Sequence, residues 1–188
     1  MKLAFTGTHV TGKTTLLKDV EKYIHNDLVT SCSFGSITGI ARNIIERGFP
    51  LNKDGNVYSY VNYINDQLEA EKGMDSYDIF ISDRTILSPL AYATANQSLP
   101  RPFIPDYLIK MIENVWLLEK ERYDLYVYFP IEFPMVFKDN IHPSDEEYRQ
   151  LIDRTILSLL DKHSVNYITV TGNREKRLET ILKVLDLK

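Results

Sequence analysis

Cysteine is almost missing from this chain: one residue, Cys32, in 188. A lone thiol rules out an internal disulfide framework and fits a reducing compartment, where Cys32 reads as a small apolar residue of a buried strand. Long apolar runs are missing as well, so no segment has the length a membrane-spanning helix needs. Basic residues are not in excess. The 22 Lys and Arg against 26 Asp and Glu give a net charge of −4 with no long basic run. That opposes duplex DNA as a partner, since phosphate neutralisation dominates such affinity, and leaves room only for a local basic cleft. Internal repeats and low-complexity stretches are absent too, which removes solenoids and linker arrays. The first chemical motif begins at residue 7, leaving no room for a signal peptide before it, so a cytoplasmic location is expected.

What is present is an ordinary globular composition, long enough for one domain over residues 1–188. Its most informative stretch is Gly7-Thr8-His9-Val10-Thr11-Gly12-Lys13-Thr14, a G-x-x-x-x-G-K-T pattern. It follows the apolar run Leu3-Ala4-Phe5 and leads into the helix-like Thr14-Thr15-Leu16-Leu17-Lys18. That strand–loop–helix context separates a phosphate-binding loop from a chance match. The loop amides and the helix N-terminus are expected to cradle a triphosphate. Lys13 is expected to reach the β- and γ-phosphates and the Thr14 hydroxyl to ligate Mg²⁺, so ATP and Mg²⁺ are the expected cofactors.

The rest of the chain alternates strands with helices. Strands are expected at Lys2–Thr6, Val29–Phe34, Asp78–Ser82, Leu125–Phe129 and Asn166–Val170. Helices are expected at Lys13–Asn26, Ile37–Arg47, Val57–Lys72, Leu87–Ala95, Asp106–Arg122, Asp145–His163 and Arg174–Leu187. This order specifies an α/β fold: a five-stranded parallel sheet flanked by helices, with ligands beyond the carboxyl ends of the strands. The segment 131–148 reads as a lid.

Asp83-Arg84 closes the third strand, beside the loop. The carboxylate suits a metal or a hydroxyl proton, and the guanidinium suits bidentate grip on a phosphate. A GTPase is disfavoured, because Asn52-Lys53-Asp54-Gly55 has the wrong spacing for a guanine-reading motif. A ring-type ATPase is disfavoured by Arg84, where a Glu would follow the strand-end Asp. Tyr60, Tyr63 and Gln67 share a helical face and offer a stacking and hydrogen-bonding surface for a base, or core packing. Ile109, Ile112, Trp116 and Leu117 form a stripe open to two readings, burial in the core or a homodimer face.

At these residues the chain resembles the nucleoside and nucleotide kinase branch of P-loop proteins: thymidylate, deoxynucleoside and nicotinamide riboside kinases. More narrowly, it resembles AAA-type ATP-binding proteins grouped with the ribosylnicotinamide kinase domain. The likeness runs over Gly7–Thr15, Ala41–Ile44, Gln67–Glu71, Asp78–Arg84, Tyr123–Tyr128, Asp145–Arg154 and Tyr167–Ile181. It implies a P-loop NTPase fold and phosphoryl transfer from ATP–Mg²⁺ to a small nucleoside or nucleotide. The alternatives are a kinase acting on a base or end within nucleic acid, favoured by a basic Arg42–Lys53–Arg101 rim, or a non-catalytic ATP-binding regulatory module.

By the same resemblance, Gly7 to Thr15 hold the nucleotide, and Asn173 and Arg174 meet adenine. Thr14 and Asp83 hold the metal. Lys13, Asp83, Arg84, Arg149 and Arg154 are catalytic, and Arg42 and Arg84 face the acceptor, which the helical face of Tyr60, Tyr63 and Gln67 would complete by its spacing. One departure stands out. Relatives often carry a Glu three residues before the arginine that matches Arg42; this chain has Gly39. Lacking that base, the chain leans toward a monophosphate acceptor, whose oxygen is already nucleophilic, unless Asp83 is the base.

Overall fold

The apolar run at the N-terminus forms the middle of a sheet. In the computed structural model, which describes residues 1–26, 32–100, 103–134 and 146–187, the strands are β1 (Lys2–Thr6), β2 (Phe34–Ile37), β3 (Ile79–Asp83), β4 (Leu125–Tyr128) and β5 (Tyr167–Thr169). All pair in parallel, in the order β2-β3-β1-β4-β5. The chain leaves β1 toward one edge and later returns to its other side, so a topological switch point lies at the carboxyl end of β1. Among the described residues seven helices cover the sheet: α1 (Lys13–Asn26), α2 (Ile40–Glu46), α3 (Val57–Glu71), α4 (Leu87–Asn96), α5 (Asp106–Glu119), α6 (Glu146–Lys162) and α7 (Arg174–Val184).

Strand alternation divides the core in two. Leu3, Phe5, Ile79, Ile81 and Val127 point to the face covered by α1 and α7, where Leu17, Val20 and Ile181 meet them. Ala4, Phe80, Tyr126 and Tyr128 point to the opposite face, against α4 and α6. The small Ala4 and the alanines of α4 let that helix sit deep, and nine of its ten residues are buried. Pro89 sits in its first turn, where no intrahelical N–H is needed.

Two expectations shift. The second strand begins at Phe34 and runs through Gly35 and Ser36, because pairing of Phe34 with Ile79 and Ile37 with Ser82 sets its register. Cys32 and Ser33 precede it, and residues 29–31 of the expected strand lie outside the described residues. Helix α2 accordingly starts three residues later than its pattern implied. The Ile112–Trp116 stripe faces inward: both are fully buried, with Ile109 and Leu117 packed beside them, so of its two readings burial in the core is the one the fold adopts. Most of the expected lid, residues 135–145, lies outside the described residues. No helix among the described residues is long and apolar enough to cross a membrane.

Gly7, at the exit of β1, has φ 137°, and a Cβ there would lie 2.5 Å from the Phe129 carbonyl oxygen. Gly7→Ala is therefore expected to destabilise the fold by about 1–3 kcal/mol, lowering the melting temperature by several degrees, and to weaken nucleotide binding. Calorimetric melting checks the first effect and ligand titration the second.

Candidate active site

The loop between β1 and α1 is held through its carbonyl oxygens. The Thr8 carbonyl accepts from Thr11 Oγ1 at 3.2 Å and from Lys13 Nζ. The His9 and Val10 carbonyls accept from Arg149 Nε and Nη2 at 3.2 and 3.0 Å. The Thr11 carbonyl accepts from Arg177 Nη1 at 2.6 Å. With four consecutive carbonyls engaged by side chains the loop backbone is pinned, and the N–H of each trans peptide points opposite its bound C=O. Val10, with φ 56°, supplies a left-handed turn of the kind that makes such an anion nest. The start of α1 adds its dipole.

Charge gathers around this nest. Lys13 is 4% exposed and also reaches Thr11 Oγ1 at 2.9 Å. Burial holds its ammonium well below the usual lysine range, helped by Arg84 and Arg149 and opposed by Asp83 and Asp153. Asp83 ends β3 at 8% exposure; its Oδ2 accepts from the Thr14 hydroxyl, while its Oδ1 is buried with no hydrogen-bond partner. A hydroxyl and a carboxylate oxygen with spare acceptor capacity fit a hard divalent cation that keeps several waters. No cluster of three or more His, Cys, Asp or Glu able to enclose a metal occurs among the described residues.

Arg84 follows at φ 84°, an outlier for a non-glycine residue. Its Nη1 lies 3.3 Å from the Gly7 carbonyl and 3.4 Å from Ser88 Oγ, with the guanidinium 5.9 Å from the Tyr92 ring centre. This arginine lines a cleft of about 520 Å³, partly open to solvent. Tyr60, Tyr63 and Tyr92 wall the cleft, Ile45 and Leu51 add apolar surface, and His9 borders it from the nest side. Tyr92 fixes the His9 ring through a 3.1 Å contact to Nδ1. Burial raises the Tyr60 and Tyr63 hydroxyls, keeping both protonated as donors. Tyr60 accepts from Asn96 at 2.9 Å; the Tyr63 hydroxyl is buried without a hydrogen-bond partner.

The sequence-predicted residues divide. Gly7 to Thr14, Asp83, Arg84 and Arg149 converge on the nest, and Tyr60 and Tyr63 line the adjoining cleft. Thr15 is exposed on the first turn of α1. Gln67 is fully buried one turn from Tyr63 but does not line the cleft. Arg42 is exposed on α2, next to the lining residue Ala41. Gly39 caps α2 at φ 82°, a conformation that disfavours a Glu at this point. Lys53 lies over the Tyr148 ring at 5.3 Å, and Arg101 of the proposed basic rim lies outside the described residues.

Three arginines are placed otherwise than expected. Arg149 is entirely buried and spends its donors on the loop carbonyls, on the Phe133 carbonyl at 2.9 Å and on Glu146. Arg154 is exposed, because it lies five residues from Arg149 and turns off that helical face. Arg174 is exposed and pairs with Asp19 of α1, while Asn173 caps α7 by accepting from the Lys176 amide at 2.9 Å.

The side chain of α7 that reaches the nest is Arg177, unnoticed in the sequence. Besides Thr11 it binds the Gly172 carbonyl at 2.9 Å and Glu132, and its guanidinium lies 4.7 Å from the Phe133 ring centre. Asp153 was also missed. It accepts from the Tyr128 hydroxyl at 2.8 Å, and burial raises its carboxyl above the usual range.

The family model described as "AAA domain" matches residues 2–177. No curated protein matches the chain in sequence. Among solved structures, a deoxyadenosine kinase from M. mycoides with dCMP and dCDP bound superposes with TM-score 0.70 at 14% identity, each chain covered completely. A NadR protein in complex with NAD and AMP-PNP gives TM-score 0.73 at 16% identity; the whole of this chain spans 50% of it. A thymidylate kinase from Ehrlichia chaffeensis gives 0.65 at 17% identity, with 98% of each chain covered. The shared architecture is the P-loop NTPase fold of nucleoside and nucleotide kinases.

Arg177→Ala is expected to weaken ATP binding about tenfold or more, since it removes charged hydrogen bonds from the loop. Arg174→Ala, which breaks only an exposed ion pair, is expected to change it less than about twofold. Titration calorimetry with ATP separates the two.

Proposed function

The chain belongs to the AAA domain family, and we propose that it transfers the γ-phosphoryl group of ATP, with Mg²⁺, to a small nucleoside or nucleotide. The observation that carries this is the continuity of two sites. The nest ends at Gly7, Arg84 bonds to the Gly7 carbonyl, and the same arginine lines the tyrosine-walled cleft. A donor phosphate in the nest and an acceptor in the cleft would meet at one guanidinium.

The roles follow from that arrangement. The loop amides and Lys13 bind the triphosphate, and nearby phosphate charge offsets the burial that lowers the Lys13 ammonium. Thr14 and Asp83 would hold Mg²⁺, which when bound neutralises charge on the β- and γ-phosphates. Arg84 grips the transferring group, so catalysis is mainly positioning and electrostatic stabilisation. Tyr60, Tyr63 and Tyr92 offer apolar faces with hydroxyl edges, which suits a base. Support comes also from the similar folds, one bound to deoxycytidine nucleotides and one to NAD and AMP-PNP. A monophosphate acceptor remains the favoured form: Gly39 supplies no base, and Thr14 already engages Asp83.

A coupled ADP-release assay with ATP–Mg²⁺ against nucleosides, deoxynucleosides, their monophosphates, nicotinamide riboside and oligonucleotides tests the proposal. Stimulation by a small nucleoside or nucleotide is expected; a flat panel with ATP still bound would refute it. With the active acceptor, Lys13→Ala should abolish turnover. Asp83→Asn should lower kcat about a hundredfold while ATP affinity changes only a few-fold. Equal losses would make Asp83 structural.

A further inference from the structure

Beneath the Arg84 turn runs a buried chain of hydrogen bonds. The Tyr123 hydroxyl donates to Glu71 Oε1 at 2.6 Å, and Gln67 Nε2 donates to the same oxygen at 2.6 Å. Gln67 Nε2 also reaches Ser82 Oγ at 3.1 Å, and Ser82 Oγ donates to the Arg84 carbonyl at 2.5 Å. A further contact of 3.3 Å joins Gln67 Nε2 directly to that carbonyl. Gln67, Glu71 and Ser82 are entirely buried. Two donors thus fix the carbonyl of a residue whose φ of 84° its own side chain disfavours. The Arg84 amide is tied as well, to the Phe5 carbonyl at 3.0 Å.

We infer that Gln67, through Ser82, is a positioning residue that holds Arg84 in its left-handed turn and so aims the guanidinium at the end of the phosphate nest. This rests on the reading of Arg84 as the phosphate-gripping arginine, and it separates Gln67 from the acceptor. Tyr63, one turn earlier on α3, lines the cleft; Gln67 lies under the turn instead, with its donor committed to Glu71, Ser82 and the Arg84 carbonyl. Glu71, anchored by Tyr123, fixes the amide so that nitrogen faces the turn. Without that anchor the backbone has a less strained alternative at residue 84, and the guanidinium leaves the Gly7 carbonyl and Ser88.

The test measures the affinity of the intact chain for ADP–Mg²⁺ and for AMP-PNP–Mg²⁺. The ratio of the two isolates the grip on the γ-phosphate. Arg84→Ala and Gln67→Leu are each expected to lower this ratio about fivefold with ADP affinity nearly unchanged; Gln67→Leu also lowers the melting temperature, because it leaves Glu71 and the Arg84 carbonyl short of a buried donor, so binding is measured well below it. In the Arg84→Ala background, Gln67→Leu is expected to change it less than about twofold, because the residues act as one unit. Ser82→Ala, a smaller change, should reproduce the Gln67→Leu effect and guards against a variant that fails to fold.

Equal loss from Gln67→Leu in both backgrounds would overturn the inference, as would an unchanged ratio in either single variant. So would a raised acceptor KM with the ratio intact, which would return Gln67 to the acceptor. A protein that shows the expected coupling yet phosphorylates nothing upholds the positioning role and refutes the phosphotransferase reading.

Discussion

Four successive carbonyl oxygens, those of Thr8, His9, Val10 and Thr11, are bound by three buried cationic side chains and one hydroxyl. The rest of the site depends on this constraint. A glycine-rich loop has many conformations, and these contacts hold one of them. Lys13 comes from the loop's own helix, Arg149 from α6 and Arg177 from α7, so elements distant in sequence select that conformation together. Burying charge is costly unless it is hydrogen-bonded. Here each guanidinium meets loop carbonyls and a carboxylate, Glu146 for Arg149 and Glu132 for Arg177. The arrangement uses folding free energy to fix one conformation of the loop.

The sheet places the second half of the site. Because β1 and β3 are neighbours, with Phe5 beside Asp83, the phosphate loop and the Asp83-Arg84 turn emerge side by side. The same adjacency brings the Thr14 hydroxyl onto Asp83 and the Arg84 guanidinium onto Gly7. The cleft then forms where α2, α3 and α4 leave room beyond the strand ends. Its tyrosines are anchored by side-chain contacts rather than by the sheet: Tyr60 by Asn96, and Tyr92 by His9.

Much of this was legible in the sequence, for physical reasons that differ from residue to residue. The first strand and helix were read to the residue, because Leu3-Ala4-Phe5 and the G-x-x-x-x-G-K-T pattern are local signals. The parallel α/β architecture followed from alternation alone. The second strand was misplaced because propensity favoured Val29–Phe34, whereas partner register with β3 selected Phe34–Ile37. The resemblance singles out Arg154 with Arg149, yet the buried stripe Ile152, Ile156 and Leu160 shares its helical face with Arg149 and Asp153 instead. Arg177 lies one turn from Ile181 on the buried side of α7, while Arg174, seven residues from Ile181, shares that phase but is exposed as the first residue of the helix. Helical phase, applied to charged residues as strictly as to apolar ones, separates Asp153 from Arg154; Arg177 and Arg174 share a phase, and only tertiary contacts tell them apart. No such pattern reveals the role of Gln67, whose partners are Glu71 of its own helix and Ser82 and Arg84 at the end of β3.

The most direct measurement follows the phosphoryl group itself. ATP–Mg²⁺ and a mixed pool of nucleosides and monophosphates are incubated with the protein, and the products are identified by mass spectrometry. The account predicts one small nucleoside or nucleotide gaining a single phosphoryl group in step with ADP formation. Release of inorganic phosphate with every acceptor unchanged, or bound ATP left intact, would contradict it.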